Sequence, residues 1–357
     1  MKILHCADLH LDSKMEALSP EKSKIRRSEI LDTFERIVKY AADSGVRAVI
    51  IAGDMFDTDR VTKKTRERVL GAIADAKSVD FLYLTGNHDD KSFLLETELP
   101  ENFKVFGRSW TCFKYGDVNV CGRVIDRQNA DSFYDGLDLS ADDFNIVVLH
   151  GQIAGYKSKN HAELISLPRL KDRNIDYLAL GHVHEFVSGK LDERGTYAYS
   201  GCPEGRGFDE TGTKGIVVLD IDGKKANIEF VPFSKRELIE ENFSVEGETS
   251  FYDTAKKIVK MLSEKYSSGS IVKVIMKGGH RTDYAVDKEV LVKLLSEAFF
   301  FAKVYDRTEL IINENDYETD KSVRGEFVRA VMESDMENLT KSRVIMCGIN
   351  ALKGEEI

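Results

Sequence analysis

No apolar run in this 357-residue sequence approaches the roughly 20 residues that a membrane-spanning helix needs. The first residues, Met1 to Asp8, turn polar too soon for a signal peptide and read as a first strand, so a cytoplasmic protein with no membrane partner is expected. Cysteine is scarce. The five present, Cys6, Cys112, Cys121, Cys202 and Cys347, are widely spaced, odd in number and contain no Cys-x-x-Cys pair. That argues against a disulfide framework or a structural zinc site, fits a reducing compartment, and leaves each as a small buried hydrophobe. Excess basic charge is also lacking: 51 Lys and Arg face 61 Asp and Glu, a net charge of -10. Sequence-blind coating of nucleic acid through bulk charge is disfavoured, whereas local basic loops are not. There is no internal repeat and no low-complexity tract.

What is present is a series of buried strands with polar ends. The length exceeds a usual single core, so one large domain and a smaller one are expected. Lys2 to Ala7, Ala48 to Ala52, Phe81 to Leu84, Asn145 to Leu149 and Ile175 to Leu180 read as mainly apolar, buried strands, and Ala48 to Ala52 is apolar throughout, the pattern of a strand covered on both faces. Between them, Pro20 to Ser44 has helical periodicity, with Ile25, Leu31, Phe34, Ile37, Val38 and Ala41 inward, Ser19 as cap and Gly45 at its end. A second helix is expected over Thr62 to Lys77, and a short one over Ala162 to Leu170. Four short strands from Glu185 to Phe233 read as a second sheet, with Asp222-Gly223 turning the last hairpin. Beyond about Pro232 the texture becomes α+β, and a final helical stretch runs from Val323 to about Leu352.

The five buried strands end in Asp8/His10, Asp54, Asn87/His88, His150 and His182/His184. Five of the eight histidines in the chain lie at these ends. Residues i and i+2 of extended chain share a face, so Asp8 and His10, and likewise His182 and His184, are expected to aim together. Open α/β sheets bind ligands beyond the carboxyl ends of their strands. Nitrogen and oxygen donors without thiolate suit Mn²⁺, Fe²⁺ or Zn²⁺. With His88 set aside, seven such donors exceed what one open ion takes and suit two ions sharing a bridging carboxylate. Each motif alone also reads as a turn or a satisfied loop residue; the set of five, each closing an apolar strand, carries the assignment. His5, His161 and His280 lack such companions and read as structural.

Asp8-x-His10, Gly53-Asp54-x-x-Asp57, Gly86-Asn87-His88-Asp89, His150-Gly151 and Gly181-His182-x-His184 together resemble the calcineurin-like metallophosphoesterase pattern, over about the first 235 residues. The resemblance implies a four-layer α/β/β/α sandwich of two mixed sheets. It implies that Asp8, His10, Asp54 and His184 hold one metal and that Asp54, Asn87, His150 and His182 hold the other. It also implies that two cations, most simply Mn²⁺, activate a water for in-line attack on phosphorus. His88 then contacts the scissile phosphate, and Asp57 orients His88.

Ile3 to Asp12, Gly53 to Asp57, Asp176 to His184, and Tyr199-Ser200-Gly201 followed by Phe208-x-Glu210-x-Gly212-x-Lys214-Gly215 resemble SbcD-type DNA repair exonucleases. Some relatives carry His where this chain has Asp57. The resemblance implies a nuclease domain over 1–235, a small α+β capping domain over 236–310, and a C-terminal helical segment, 311–357, that docks on an SbcC-type coiled-coil ATPase. It also implies DNA as substrate and a homodimer built on helices of the catalytic domain. Positive charge for a phosphate backbone is expected from Lys157, Lys159 and Arg206, with Tyr156 available to stack. Weaker candidates are Lys22, Lys24, Arg26 and Arg27, and Lys63, Lys64, Arg66 and Arg68, on helices where such charges are usually a solvated face. The alternative is a phosphodiesterase of the same superfamily acting on small or cyclic nucleotides.

Overall fold

The computed structural model describes residues 1–15, 18–57, 61–89, 98–125, 132–154, 164–281, 284, 286–311 and 317–353. Two compact units emerge, Met1–Glu237 and Leu238–Ile357.

The first unit begins with β1 (Lys2–Cys6), α1 (Pro20–Asp43), β2 (Val46–Ala52), α2 (Lys63–Asp75), β3 (Asp80–Leu84) and β4 (Phe103–Val105). It continues through β5 (Thr111–Tyr115), β6 (Val118–Gly122), β7 (Phe144–His150), β8 (Gln152–Ile153), β9 (Leu164–Ile165) and β10 (Tyr177–Gly181). It closes with β11 (Val187–Lys190), β12 (Thr196–Tyr199), β13 (Gly215–Asp222) and β14 (Lys225–Pro232). Two six-stranded mixed sheets result, in the orders β14-β13-β1-β2-β3-β4 and β11-β12-β10-β7-β6-β5. Their inner faces share a core of Ile3, Ile50, Leu82, Ile146, Val148 and Ala179. The helices cover the outer face of the first sheet through Phe34, Ile37, Val69 and Ile73. On the outer face of the second sheet the described cover is loop-borne, from Phe133, Tyr134, Leu139 and Leu170. β3, β7 and β10 are buried along their whole length, and β2 at every residue but Arg47, because both of their faces are covered.

Several expectations change. β13 and β14 join the first sheet, not the second: the hairpin folds back so that β13 runs antiparallel to β1. Ile25 is 40% exposed, so the inward stripe of α1 begins later, at Ile30. Ser19 caps that helix through the Lys22 amide, and Gly45 ends it in the left-handed region, φ +67°. The stretch expected as a short helix before Leu170 holds β9 and one 3₁₀ turn, Leu167–Arg169, where Pro168 allows no longer helix. Cys112 and Cys121 form a disulfide, because the β5–β6 register sets them directly opposite with Cα atoms 4.1 Å apart. The argument for a reducing compartment therefore fails at this pair.

The second unit has a three-stranded parallel sheet of β15 (Leu238–Ser244), β16 (Ile271–His280) and β17 (Phe301–Leu310). α3 (Phe251–Lys265) and α4 (Lys288–Ala298) connect these strands and pack on one face, around Ile258, Leu262, Leu291, Leu295, Val272 and Val274. The final helical stretch is two helices, α5 (Val323–Met332) and α6 (Asn338–Lys353). Val328 and Val331 pack against Ile345 and Ile349, so the apolar face of α5 is occupied by its neighbour. Among the described residues, no helix is long and apolar enough to cross a membrane.

Candidate metal centre

The loops at the carboxyl ends of β1, β2, β3, β7 and β10 converge at one place. Asp8, His10 and His184 offer ligand atoms within 4.8 Å of one another, and so do Asp54, His150 and His182. The extended i, i+2 picture does not explain this. Asp8 (φ +53°), His10 (+45°), Asp54 (+51°) and His182 (+102°) all have left-handed backbone. A non-glycine residue there costs about 1–3 kcal/mol, and such strain gathers where a site demands it. The turns are fixed by backbone bonds: Asp8 donates to the Gly53 carbonyl and His10 to that of Asp54, each at 3.0 Å. Gly53 (φ +93°) and Gly86 allow close approach, since a Cβ at either would collide with His150 or with Asp54.

Asp54 stands in the middle. Its Oδ2 lies 3.3 Å from His150 Nε2 and 3.9 Å from His10 Nε2, so one carboxylate oxygen faces both groups. Its Oδ1 accepts the His88 amide at 2.9 Å. Asn87 Oδ1 lies 3.0 Å from His150 Nε2, which brings it to the second group. Asp8 accepts the His182 amide on both oxygens at 3.0 Å.

The histidines are set for coordination. His150 Nδ1 donates to the Ala52 carbonyl at 2.9 Å, His10 Nδ1 to Asp57 at 3.2 Å, and His184 Nδ1 to Glu210 at 2.7 Å. Each bond occupies Nδ1 and turns Nε2 toward the cluster, the nitrogen that a metal would take. His10 Nε2 and His184 Nε2 are 3.1 Å apart. Two nitrogens each about 2.1 Å from one ion and at right angles are separated by about 3.0 Å. The donor set and this spacing fit two divalent cations.

Charge balance points the same way. Burial would raise the Asp54 carboxyl, but His150 and His10 hold it well below the usual range. Burial opposes charge on His150, yet Asp54 and Asp8 raise it above an ordinary imidazole. Burial lowers His10 despite its bond to Asp57.

His88 is half-exposed, and its Nδ1 lies 3.4 Å from Asp57 Oδ1. That contact raises its pKa, which favours the protonated ring. Burial would lift Asp57, but bonds with His10, His88 and Ser13 keep it strongly acidic. Asp57 thus serves both rings. Arg206 points its guanidinium at Asp57 (3.2 Å) and Glu210 (2.7 Å). Lys157, Lys159, Tyr156 and His161 lie outside the described residues. Arg26 is fully buried between Glu29 and Glu204, at 2.8 and 3.0 Å, and cannot meet a phosphate. Arg68 is tied to Glu35 and Asp32. His5 is buried against the Tyr177 hydroxyl, and burial lowers it to about 3.

Three residues gained no role from the sequence reading. Glu210 is 5% exposed and orients His184. Lys214 donates to the His184 carbonyl at 2.8 Å. Asp89 accepts the Phe56 and Gly86 amides and ties two loops together; burial and the Asp54 charge push it up to about 6. Glu210 and Lys214 belong to the quoted Phe208 to Gly215 motif, and that motif was the available signal.

Residues 1–186 match the family model described as calcineurin-like phosphoesterase. The chain is 24% identical over 318 residues to the DNA double-strand break repair protein Mre11 of Methanosarcina acetivorans, covering 86% of this chain and 50% of that one. It is 23% identical over 326 residues to the protein of that name from Sulfurisphaera tokodaii, covering 84% and 78%. The chain therefore spans about half the length of the first of these relatives. Among solved structures, a dimetal phosphatase from Danio rerio aligns with TM-score 0.42 and 12% identity, over 66% of this chain and 99% of that one.

Proposed function

The chain belongs to the calcineurin-like phosphoesterase family, and from that premise we propose that it is a two-metal phosphodiesterase that cleaves DNA. The observation that carries the reading is Asp54 Oδ2, which faces His10 on one side and His150 on the other. In this reading Asp8, His10, Asp54 and His184 hold one ion, and Asp54, Asn87, His150 and His182 hold the other. Two Mn²⁺ ions (Fe²⁺ or Zn²⁺ being the other choices for this donor set) would polarise the phosphate and lower the pKa of water between them.

The chain's own residues do the rest. Asp57 holds His88 by Nδ1 and raises its pKa, which favours the protonated ring. From there His88 stabilises charge developing on the phosphate or donates to the leaving oxygen. Asp57, Glu210 and the Ala52 carbonyl keep the ligand rings in register. DNA as substrate draws on the printed names of the relatives. An SbcC-type ATPase that docks on α5 and α6, a homodimer, the division at residues 235 and 310, and a cytoplasmic setting complete the proposal.

One observation favours the small-nucleotide alternative: three of the candidate cations, Arg26, Arg68 and Arg206, are engaged with carboxylates. Digestion of end-labelled linear and closed circular DNA with Mn²⁺, Mg²⁺ or chelator separates the two. Metal-dependent loss of DNA from its ends supports the nuclease. Intact DNA beside fast hydrolysis of small phosphodiesters selects the alternative.

A further inference from the structure

A continuous chain of contacts links the two sides of the site. His184 Nδ1 meets Glu210 Oε1 at 2.7 Å. The same carboxylate accepts from Arg206 through its backbone amide at 2.7 Å, its Nη2 at 2.7 Å and its Nε at 3.1 Å. Arg206 Nη1 continues to Asp57 Oδ2 at 3.2 Å. The other oxygen of Asp57 serves His10 Nδ1 at 3.2 Å and lies 3.4 Å from His88 Nδ1. One guanidinium therefore joins the carboxylate behind His184 to the carboxylate behind His10 and His88.

The loop carrying Arg206 is itself anchored. Glu204 is 3% exposed and accepts Arg26 Nη2 at 3.0 Å and Thr33 Oγ1 at 2.7 Å. Arg26 also donates to the Gly205 carbonyl at 2.9 Å. The two residues before Arg206 are thus fixed to α1, and the Arg206 side chain is only 18% exposed.

We propose that Arg206 and Glu210 are a positioning pair, which sets the histidines of the metal centre and the phosphate-facing His88 in one fixed relation, and that Arg206 is not a phosphate contact. The Arg206 guanidinium lies between the two carboxylates and donates to both, so each is held in place against the ring it orients. Arginine suits that task because its planar fork offers several fixed donors; a lysine ammonium reaches one partner well and loses the other. Partners that orient ligating histidines commonly contribute 10- to 100-fold to metal affinity. The inference rests on the reading of His10 and His184 as ligands.

The test is calorimetric titration of the chelator-treated full chain with Mn²⁺ for the unaltered protein and for Arg206→Gln, Arg206→Lys, Glu210→Gln, the Arg206→Gln/Glu210→Gln double variant and Asp54→Asn. Thermal melting of each metal-free protein verifies folding. The expected result is a loss of roughly 10- to 100-fold in Mn²⁺ affinity for each single variant at Arg206 or Glu210. Arg206→Lys should not restore it, and the double variant should lose no more than the worse single one, because the two act as a unit. The nitrogen NMR spectrum of His184 should show one Nδ1-protonated tautomer in the unaltered protein and tautomer averaging in Glu210→Gln, which retains the shape of the side chain. Mn²⁺ affinity within about twofold of the unaltered protein in Arg206→Gln, with the salt slope of DNA binding reduced by about one, makes Arg206 a phosphate contact and overturns the proposal. If the unaltered chain binds no Mn²⁺, or Asp54→Asn binds it equally well, the metal reading falls and the proposal with it.

Discussion

His10 Nε2 and His184 Nε2 face each other at 3.1 Å, and the opposite nitrogen of each ring is bound to a carboxylate, Asp57 or Glu210. Two unshared imidazole lone pairs at that distance repel unless a proton or a cation lies between them. A ligand that binds only the folded state stabilises it by about 2.7 kcal/mol at a hundredfold excess over its Kd. Adding Mn²⁺ to chelator-treated protein should therefore raise the Tm of the first unit by several degrees in a concentration-dependent way. His10→Ala should remove most of that shift; an equal shift in His10→Ala would separate the stabilisation from this pair.

Asn87 and His88 are neighbours with different surroundings. Asn87 Oδ1 meets His150 Nε2, whereas the His88 ring reaches Asp57 at the exposed side. Asn87→Ala should weaken Mn²⁺ binding. His88→Ala should leave Mn²⁺ stoichiometry unchanged and lower turnover by about 10²–10⁴, the usual contribution of a positioned acid. Bound-metal analysis beside turnover measures both. An emptied metal site in His88→Ala would contradict this division of labour.

His150 gives the pH dependence its sign. Burial disfavours its charge, but Asp54 raises its pKa above the ordinary imidazole value, so at neutral pH the metal-free ring carries a proton on the nitrogen that faces the cluster. Metal binding has to displace that proton. Mn²⁺ affinity should then rise with pH from 6 to 9, with about one proton released per chain; calorimetry in buffers of different ionisation enthalpy counts it. A pH-independent affinity with no proton release would show that His150 is neutral before binding.

Arg26 lies between Glu29 and Glu204 in a fully buried network. Removing one partner of such a network leaves charges unpaired and costs about 3–5 kcal/mol. Arg26→Met should lower stability in denaturant by that order, more than any substitution of the exposed Lys63. A change below 1 kcal/mol would mean that water reaches the carboxylates.

Much of this was legible in the sequence, and the limits have physical causes. Runs such as Val49-Ile50-Ile51 and Leu178-Ala179-Leu180 announce strands buried on both faces, and their polar ends mark the site. The left-handed turns at Asp8, His10, Asp54 and His182 were hidden, because no local pattern of residue types requires positive φ there; neighbouring strands impose it. Sheet membership of β13 was hidden because its apolar pattern suits either sheet and only pairing with β1 decides. Glu210 looks like any loop acid until the fold brings it to His184 from 26 residues away. The Cys112–Cys121 bond depends on hairpin register, which cysteine counting does not contain. Arg26 sits in a basic run that reads as solvated surface, yet it is buried between two acids.

The central claim is that Asp54 joins two ions in one centre, and the number of Mn²⁺ ions bound per chain at saturation tests it most directly. Electron paramagnetic resonance on the full chain should count two ions with exchange-coupled spectra, and Asp54→Asn should lose the coupling and at least one ion. A single uncoupled ion in the unaltered protein, or two coupled ions retained by Asp54→Asn, would contradict the account.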